Sequence, residues 1–217
     1  MKYEIRDPFG PSIYKSKLTD DQVTFLKNVS DATREKNISR GKNLAGNIQL
    51  QLTSEINDKD YFIKFISEHI RNYAEHNLNK YKKDVFDNNY DQISGVDFVI
   101  AEPGPWINYQ KQYEFNPIHS HTGIISSIIY IDIPEEIANE KEKIPINSNT
   151  RCPGELGFVH ADDGVISNIH VTPVTGDIYL FPSVLNHTVY PFHSNVERIS
   201  MSFNIADLNI YNQEEKQ

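Results

Sequence analysis

The chain has 217 residues, 38% of them hydrophobic and 24% charged, and a net charge of -9. That length suits one domain, no stretch approaches the roughly 20 apolar residues of a membrane helix, and the acidic balance weighs against a nucleic-acid partner. Cys152 is the only cysteine, which excludes an intrachain disulfide and points to a reducing, cytoplasmic setting.

The first residues show no signal-peptide pattern. Residues 1–18 read as an extended lead-in, because Pro8, Gly10 and Pro11 forbid a regular helix. Thr19-Asp20-Asp21-Gln22 is a capping box, and Val23, Leu26, Val29 and Ala32 follow at helical spacing, which predicts a helix over about 20–35. Ile48, Leu50 and Leu52 alternate as in a short strand. A second helix is expected from Asp58 to about Tyr81, with Phe62, Phe65, Ile66, His69, Ile70, Tyr73 and Ala74 on one stripe. His69 and His76 lie on this helix and read as packed or solvent-facing residues, because no partner stands at ligand spacing.

From about residue 93 the period changes. Val96, Phe98 and Ile100 alternate, Pro103-Gly104-Pro105 breaks the chain, and short strands are expected over 106–110, 124–133, 154–158, 169–171, 177–181 and 198–205. Residues 134–153 read as a polar loop insertion. Two helices ahead of short antiparallel strands predict an α+β fold: a double-stranded β-helix, or jelly roll, backed by N-terminal helices. We expect a single domain over 1–217, with a helical part over 1–92, the jelly-roll core over 93–208 and a polar tail over 209–217.

Strand parity places chemistry. Arg198, Ser200, Ser202 and Asn204 share one face of the last strand; Ile199, Met201, Phe203 and Ile205 share the other. The apolar face needs the helices as cover, so the polar face looks into the barrel. On strand 126–133, Ser126, Ile128, Tyr130 and Asp132 share a face, which points Tyr130 inward with Arg198.

In Asn116-Pro117-Ile118-His119-Ser120-His121, the two histidines stand two apart and share a face. His187 follows far downstream, after Phe181-Pro182-Ser183, and Arg198-Ile199-Ser200 comes next. His119, His121 and His187 are the candidate metal ligands. Imidazole suits iron, zinc, copper or nickel, and three ligands on one face leave open positions for a chelating co-substrate and dioxygen. His170 ranks next as a ligand, while His160 and His193 read as loop residues. Arg198 has the planar fork to hold a carboxylate bidentately, with Ser200 beside it.

These residues resemble the iron(II)/2-oxoglutarate-dependent oxygenase superfamily. The resemblance spans about Trp106 to Asn204 and rests on Asn108, His119-x-His121, Ile129-Tyr130, Gly154-Glu155-Leu156-Gly157-Phe158, Gly176-Asp177, Phe181-Pro182-Ser183, His187 and Arg198-Ile199-Ser200. It implies an Fe(II) centre, 2-oxoglutarate and O2, and oxidative decarboxylation to succinate coupled to hydroxylation of a small-molecule or protein side-chain substrate. It also implies that Tyr130 joins Arg198 on the far carboxylate and that Asn108 is a pocket residue. The wider superfamily carries Asp or Glu where His121 stands, which leaves open whether His121 binds the metal. Two rival readings are a cupin-type metalloenzyme that does not use 2-oxoglutarate and a non-catalytic jelly-roll binding module. The cupin reading lacks its usual glutamate, since Ile125 and Ser126 stand in its place, and leaves Arg198-x-Ser200 unexplained.

Overall fold

The computed structural model describes residues 2–8, 10–82, 93–140, 152–162 and 165–211. The elements run β1 (Tyr3–Arg6), β2 (Ile13–Lys17), α1 (Asp20–Lys36), β3 (Gln51–Thr53), α2 (Lys59–Lys82), β4 (Gly95–Ile100), β5 (Trp106–Gln110), β6 (Asn116–His119), β7 (Ile125–Asp132), α3 (Glu135–Ala138), β8 (Leu156–Asp162), β9 (Val165–Val171), β10 (Asp177–Pro182), β11 (Asn186–Val189) and β12 (Arg198–Tyr211). The predicted capping box starts α1. Gln22 N donates to Thr19 Oγ1 at 3.3 Å, and Thr19 N donates to Gln22 Oε1 at 2.9 Å. Helix α1 ends at Asn37, which takes the left-handed conformation that closes a helix.

The strands form two antiparallel sheets. The larger runs β1-β2-β10-β7-β12-β5-β3, with β4 pairing the far half of β12; the smaller runs β6-β11-β8-β9. This is the expected jelly roll. The stretch ahead of residue 93 supplies more than helices, because β1, β2 and β3 all join the large sheet. Residues 209–211, expected as tail, continue β12 against β4. Segment 134–153 opens with the short helix α3, and residues 141–151 lie outside the described set, as do 212–217. The stretch between the expected strands 154–158 and 169–171 is also strand: residues 159–162 belong to β8 and 165–168 to β9, while residues 163–164 lie outside the described set. Its Asp, Ser and Asn residues mask a paired ladder in which His160 stands opposite Ser167 and Val159 opposite Asn168.

The parity argument explains the two cores. Met201, Phe203 and Ile205 of β12 pack with Ile129 and Ile131 of β7, under Leu26 and Val29 of α1 and Phe62, Phe65, Ile66 and Ile70 of α2. Each such side chain contributes on the order of 2 kcal/mol by leaving water. Between the sheets lie Ile128, Tyr130, Leu156, Phe158, Tyr179, Phe181 and Val189. One position departs from the alternation. Asp132 was expected beside Tyr130, but Ile199 pairs Asp132 while Ser200 pairs Tyr130, so Ile131 is an extra residue on β7. This β-bulge turns Asp132 toward α1, where Lys27 Nζ meets it at 3.0 Å.

His69 is a core histidine, fully buried on α2, with Nδ1 2.9 Å from the Tyr14 hydroxyl. His76 pairs with Asp7 at 3.2 Å. Burial lowers the pKa of His69 from 6.5 to about 4. The folded chain therefore binds fewer protons than the unfolded chain between these values. Stability from this residue is complete above pH 6.5 and is lost as pH falls toward 4, by about 3 kcal/mol. We expect His69→Gln to flatten the decline of Tm between pH 7 and 4; an unchanged slope would assign the acid sensitivity to other groups.

Candidate metal and co-substrate site

The small sheet brings the distant histidines together. His187 on β11 stands directly across from His119 on β6. His121 follows the end of β6, where its backbone N–H donates to Ser183 O at 2.8 Å. The chain then turns at Gly123, whose φ of 113° suits glycine, and an added Cβ would meet Ile205 O at 2.7 Å. The ring centroids lie 4.3 Å (His119–His187), 4.9 Å (His119–His121) and 5.1 Å (His121–His187) apart. One ring nitrogen from each lies within 4.8 Å of the others.

The tautomers are set by the backbone. His119 Nδ1 donates to Pro117 O at 2.7 Å, and His187 Nδ1 donates to Leu185 O at 3.1 Å. Each thereby keeps Nε2 as a free donor atom. Burial, with the neighbouring His119, lowers His187 to about 3, and burial with His119 and Arg40 lowers His121 to about 4. Both rings are neutral at pH 7, the state a metal needs. Phe181 packs edge-on against His187 with centroids 4.8 Å apart.

The cavity beyond the histidines is lined by Asn108, Gln110, Tyr130, Arg198 and Ser200, among others. Ser200 is the cross-strand neighbour of both Asn108 and Tyr130. Arg198 is fully buried between the sheets. Its Nη1 donates to Gly154 O and its Nη2 to Gln110 Oε1, while Nε has no partner among the described residues. Tyr130 Oη is likewise buried without a partner, and its ring centroid lies 5.7 Å from the Arg198 Cζ. Burial raises the Tyr130 pKa despite the opposing Arg198 charge, so the phenol keeps its proton. Two unmatched buried donors in one cavity form a cradle that an anion would satisfy. The donor chemistry of both halves therefore fits a divalent iron and a chelating dicarboxylate.

Of the other histidines, His170 lies on β9 with Cys152 and Glu155, apart from the trio, and His193 sits beside Glu140 at 3.4 Å. Sequence reasoning missed several cavity residues. Gln110 shares the inward face of β5 with Asn108, and parity could have found it. Gln51 Nε2 donates to Asn108 Oδ1 at 2.9 Å, and Asn116 also lines the cavity. Leu44, Ala45, Gly46 and Ile48 close the same space. Nothing local in their sequence signals that approach.

Residues 104–204 match the family described as "Putative 2OG-Fe(II) oxygenase". That match covers a little under half of the chain, the part that carries the site. With the histidine trio, it marks a 2-oxoglutarate-dependent non-haem iron oxygenase, with iron(II) as cofactor and 2-oxoglutarate and O2 as co-substrates. The oxygenase shares its fold with a prolyl-4-hydroxylase from Pseudomonas putida, at 14% identity and TM-score 0.54, covering 92% of this chain and 95% of that one. A Trichoplax adhaerens prolyl hydroxylase, solved with a peptide fragment of hypoxia inducible factor, aligns at 14% identity and TM-score 0.48 over 93% of this chain and 85% of that one. Comparison with curated proteins gives no match. Among the described residues, no helix of the oxygenase is long and apolar enough to cross a membrane.

Proposed function

We propose that the oxygenase hydroxylates a C–H bond of a small molecule or a protein side chain, with His119, His121 and His187 as the metal ligands. The observation that carries this reading is the meeting of three imidazoles with the unmatched Arg198 Nε and Tyr130 Oη in one cavity. Bound iron(II) supplies activation of dioxygen and couples decarboxylation of 2-oxoglutarate to oxidation of the second substrate. The protein's own residues do the rest. The Pro117 and Leu185 carbonyls fix the tautomers of His119 and His187. Arg198 and Tyr130 hold the far carboxylate, and Ser200 adds a hydroxyl beside them. Asn108, tied to Gln51, lines the pocket and presents its amide. His121 replaces a carboxylate ligand, so this ligand set carries one negative charge fewer, which favours iron(II) over iron(III).

The experiment is succinate production by iron-loaded protein across a substrate panel. Free amino acids, small metabolites and prolyl peptides belong in it, the last because the P. putida protein that shares this fold is a prolyl-4-hydroxylase. One class should raise succinate formation at least about tenfold and yield a product with one added oxygen atom. Absence of succinate under every condition would contradict the proposal.

A further inference from the structure

A second group of metal-ligating side chains lies on the opposite face of the small sheet. Alternation along β11 and β8 points His187, Leu156 and Phe158 inward and Thr188 and Gly157 outward. His170 pairs Gly157 and shares its outward face. There, Cys152, Glu155 and His170 each offer a donor atom, and these atoms lie within 4.8 Å of one another. The three come from a tight turn and a strand. Glu155 N donates to Cys152 O at 3.2 Å, closing the turn that leads into β8.

Two of the three side chains, Glu155 and His170, are held from outside. Glu155 is buried; its Oε1 accepts from Thr172 Oγ1 at 2.9 Å, which leaves Oε2 3.5 Å from His170 Nδ1. The Tyr190 hydroxyl lies 3.4 Å from His170 Nε2, and the two rings pack with centroids 5.0 Å apart. Gly157 makes room for this packing, since a Cβ there would meet Tyr190 Cε2 at 3.0 Å and Thr188 Cγ2 at 2.9 Å. Outer partners of this kind are what hold ligand side chains in a metal site.

We propose that the Cys152 thiolate, Glu155 Oε2 and His170 Nδ1 form a second metal site, distinct from the histidine trio, that takes zinc or a similar borderline-soft dication. Sulfur, oxygen and nitrogen donors from three side chains suit tetrahedral zinc with a fourth position left to water. The thiolate selects against calcium and magnesium, which take oxygen ligands. Binding breaks the Cys152 S–H bond and releases its proton to solvent. The turn that carries two of the ligands also carries Gly154, whose carbonyl accepts from Arg198 Nη1. An ion here therefore braces the floor on which Arg198 rests.

Cobalt(II) separates the two sites, because only the second contains sulfur. Reduced, anaerobic protein titrated with Co2+ should develop a near-ultraviolet thiolate-to-cobalt charge-transfer band, complete by two ions per chain in the wild type and by one in His187→Ala. The band should persist in His187→Ala and vanish in Cys152→Ser, while Cys152→Ser still binds Co2+ at the histidine trio. Glu155→Gln and His170→Asn should each weaken the band-forming site at least about tenfold. No charge-transfer band at millimolar Co2+, or a band unaltered in both Glu155→Gln and His170→Asn, would overturn the proposal.

Discussion

Arg198→Ala is expected to abolish measurable 2-oxoglutarate binding while leaving metal binding intact. Arg198 is a fully buried cation whose Nε lacks a partner, in a cavity shared with the histidine trio. Losing a buried charge-assisted contact costs about 2–5 kcal/mol, roughly 30-fold to several-thousand-fold in affinity. The alanine variant also orphans Gly154 O and Gln110 Oε1, which the guanidinium now satisfies. Each buried acceptor left unmatched costs about 1–3 kcal/mol of stability. Arg198→Lys is therefore the second variant. It keeps the charge, loses the planar fork, and should raise the 2-oxoglutarate Kd at least about tenfold in a chain with a near-native Tm. Unchanged affinity in a folded Arg198→Lys chain, together with a folded Arg198→Ala chain that still binds, would remove Arg198 from the site.

His187→Ala is expected to eliminate turnover by removing a donor from the trio. Disturbing outer partners of metal ligands already costs about 10–100-fold in affinity, and losing a ligand should exceed that. His187 is nearly fully buried against Phe181, so truncation also opens a cavity. His187→Gln keeps most of the volume and should show the same loss of iron affinity at a smaller cost in Tm. Equilibrium dialysis against Fe(II) under nitrogen measures the first effect and thermal melting the second. Wild-type iron affinity in a folded His187→Gln chain would contradict the assignment. The parallel variant His121→Ala asks whether the imidazole in the usual carboxylate position is a ligand; it too should lose iron.

How much of this was legible in the sequence depends on the range of the cause. Thr19, Gln22 and the stripe from Phe62 to Tyr73 predict both long helices, because caps and helical spacing are local. The parity of Arg198, Ser200 and Ser202 against Met201, Phe203 and Ile205 correctly separates the cavity face from the helix-covered face. The meeting of His119 and His187 follows from residue types, but their direct cross-strand pairing does not. A bulge escapes a strict alternation, so Asp132 goes to Lys27 instead of the barrel. Gln51 and the stretch from Leu44 to Ile48 reach the cavity through long-range packing that leaves no periodic mark. The β8–β9 hairpin hides behind turn-forming residues that the ladder overrides.

The most direct measurement is calorimetric titration of anaerobic, Fe(II)-loaded protein with 2-oxoglutarate. The account predicts saturable one-to-one binding that requires both the metal and Arg198. Absence of binding to the iron-loaded chain, or binding that persists undiminished in Arg198→Ala, would contradict it.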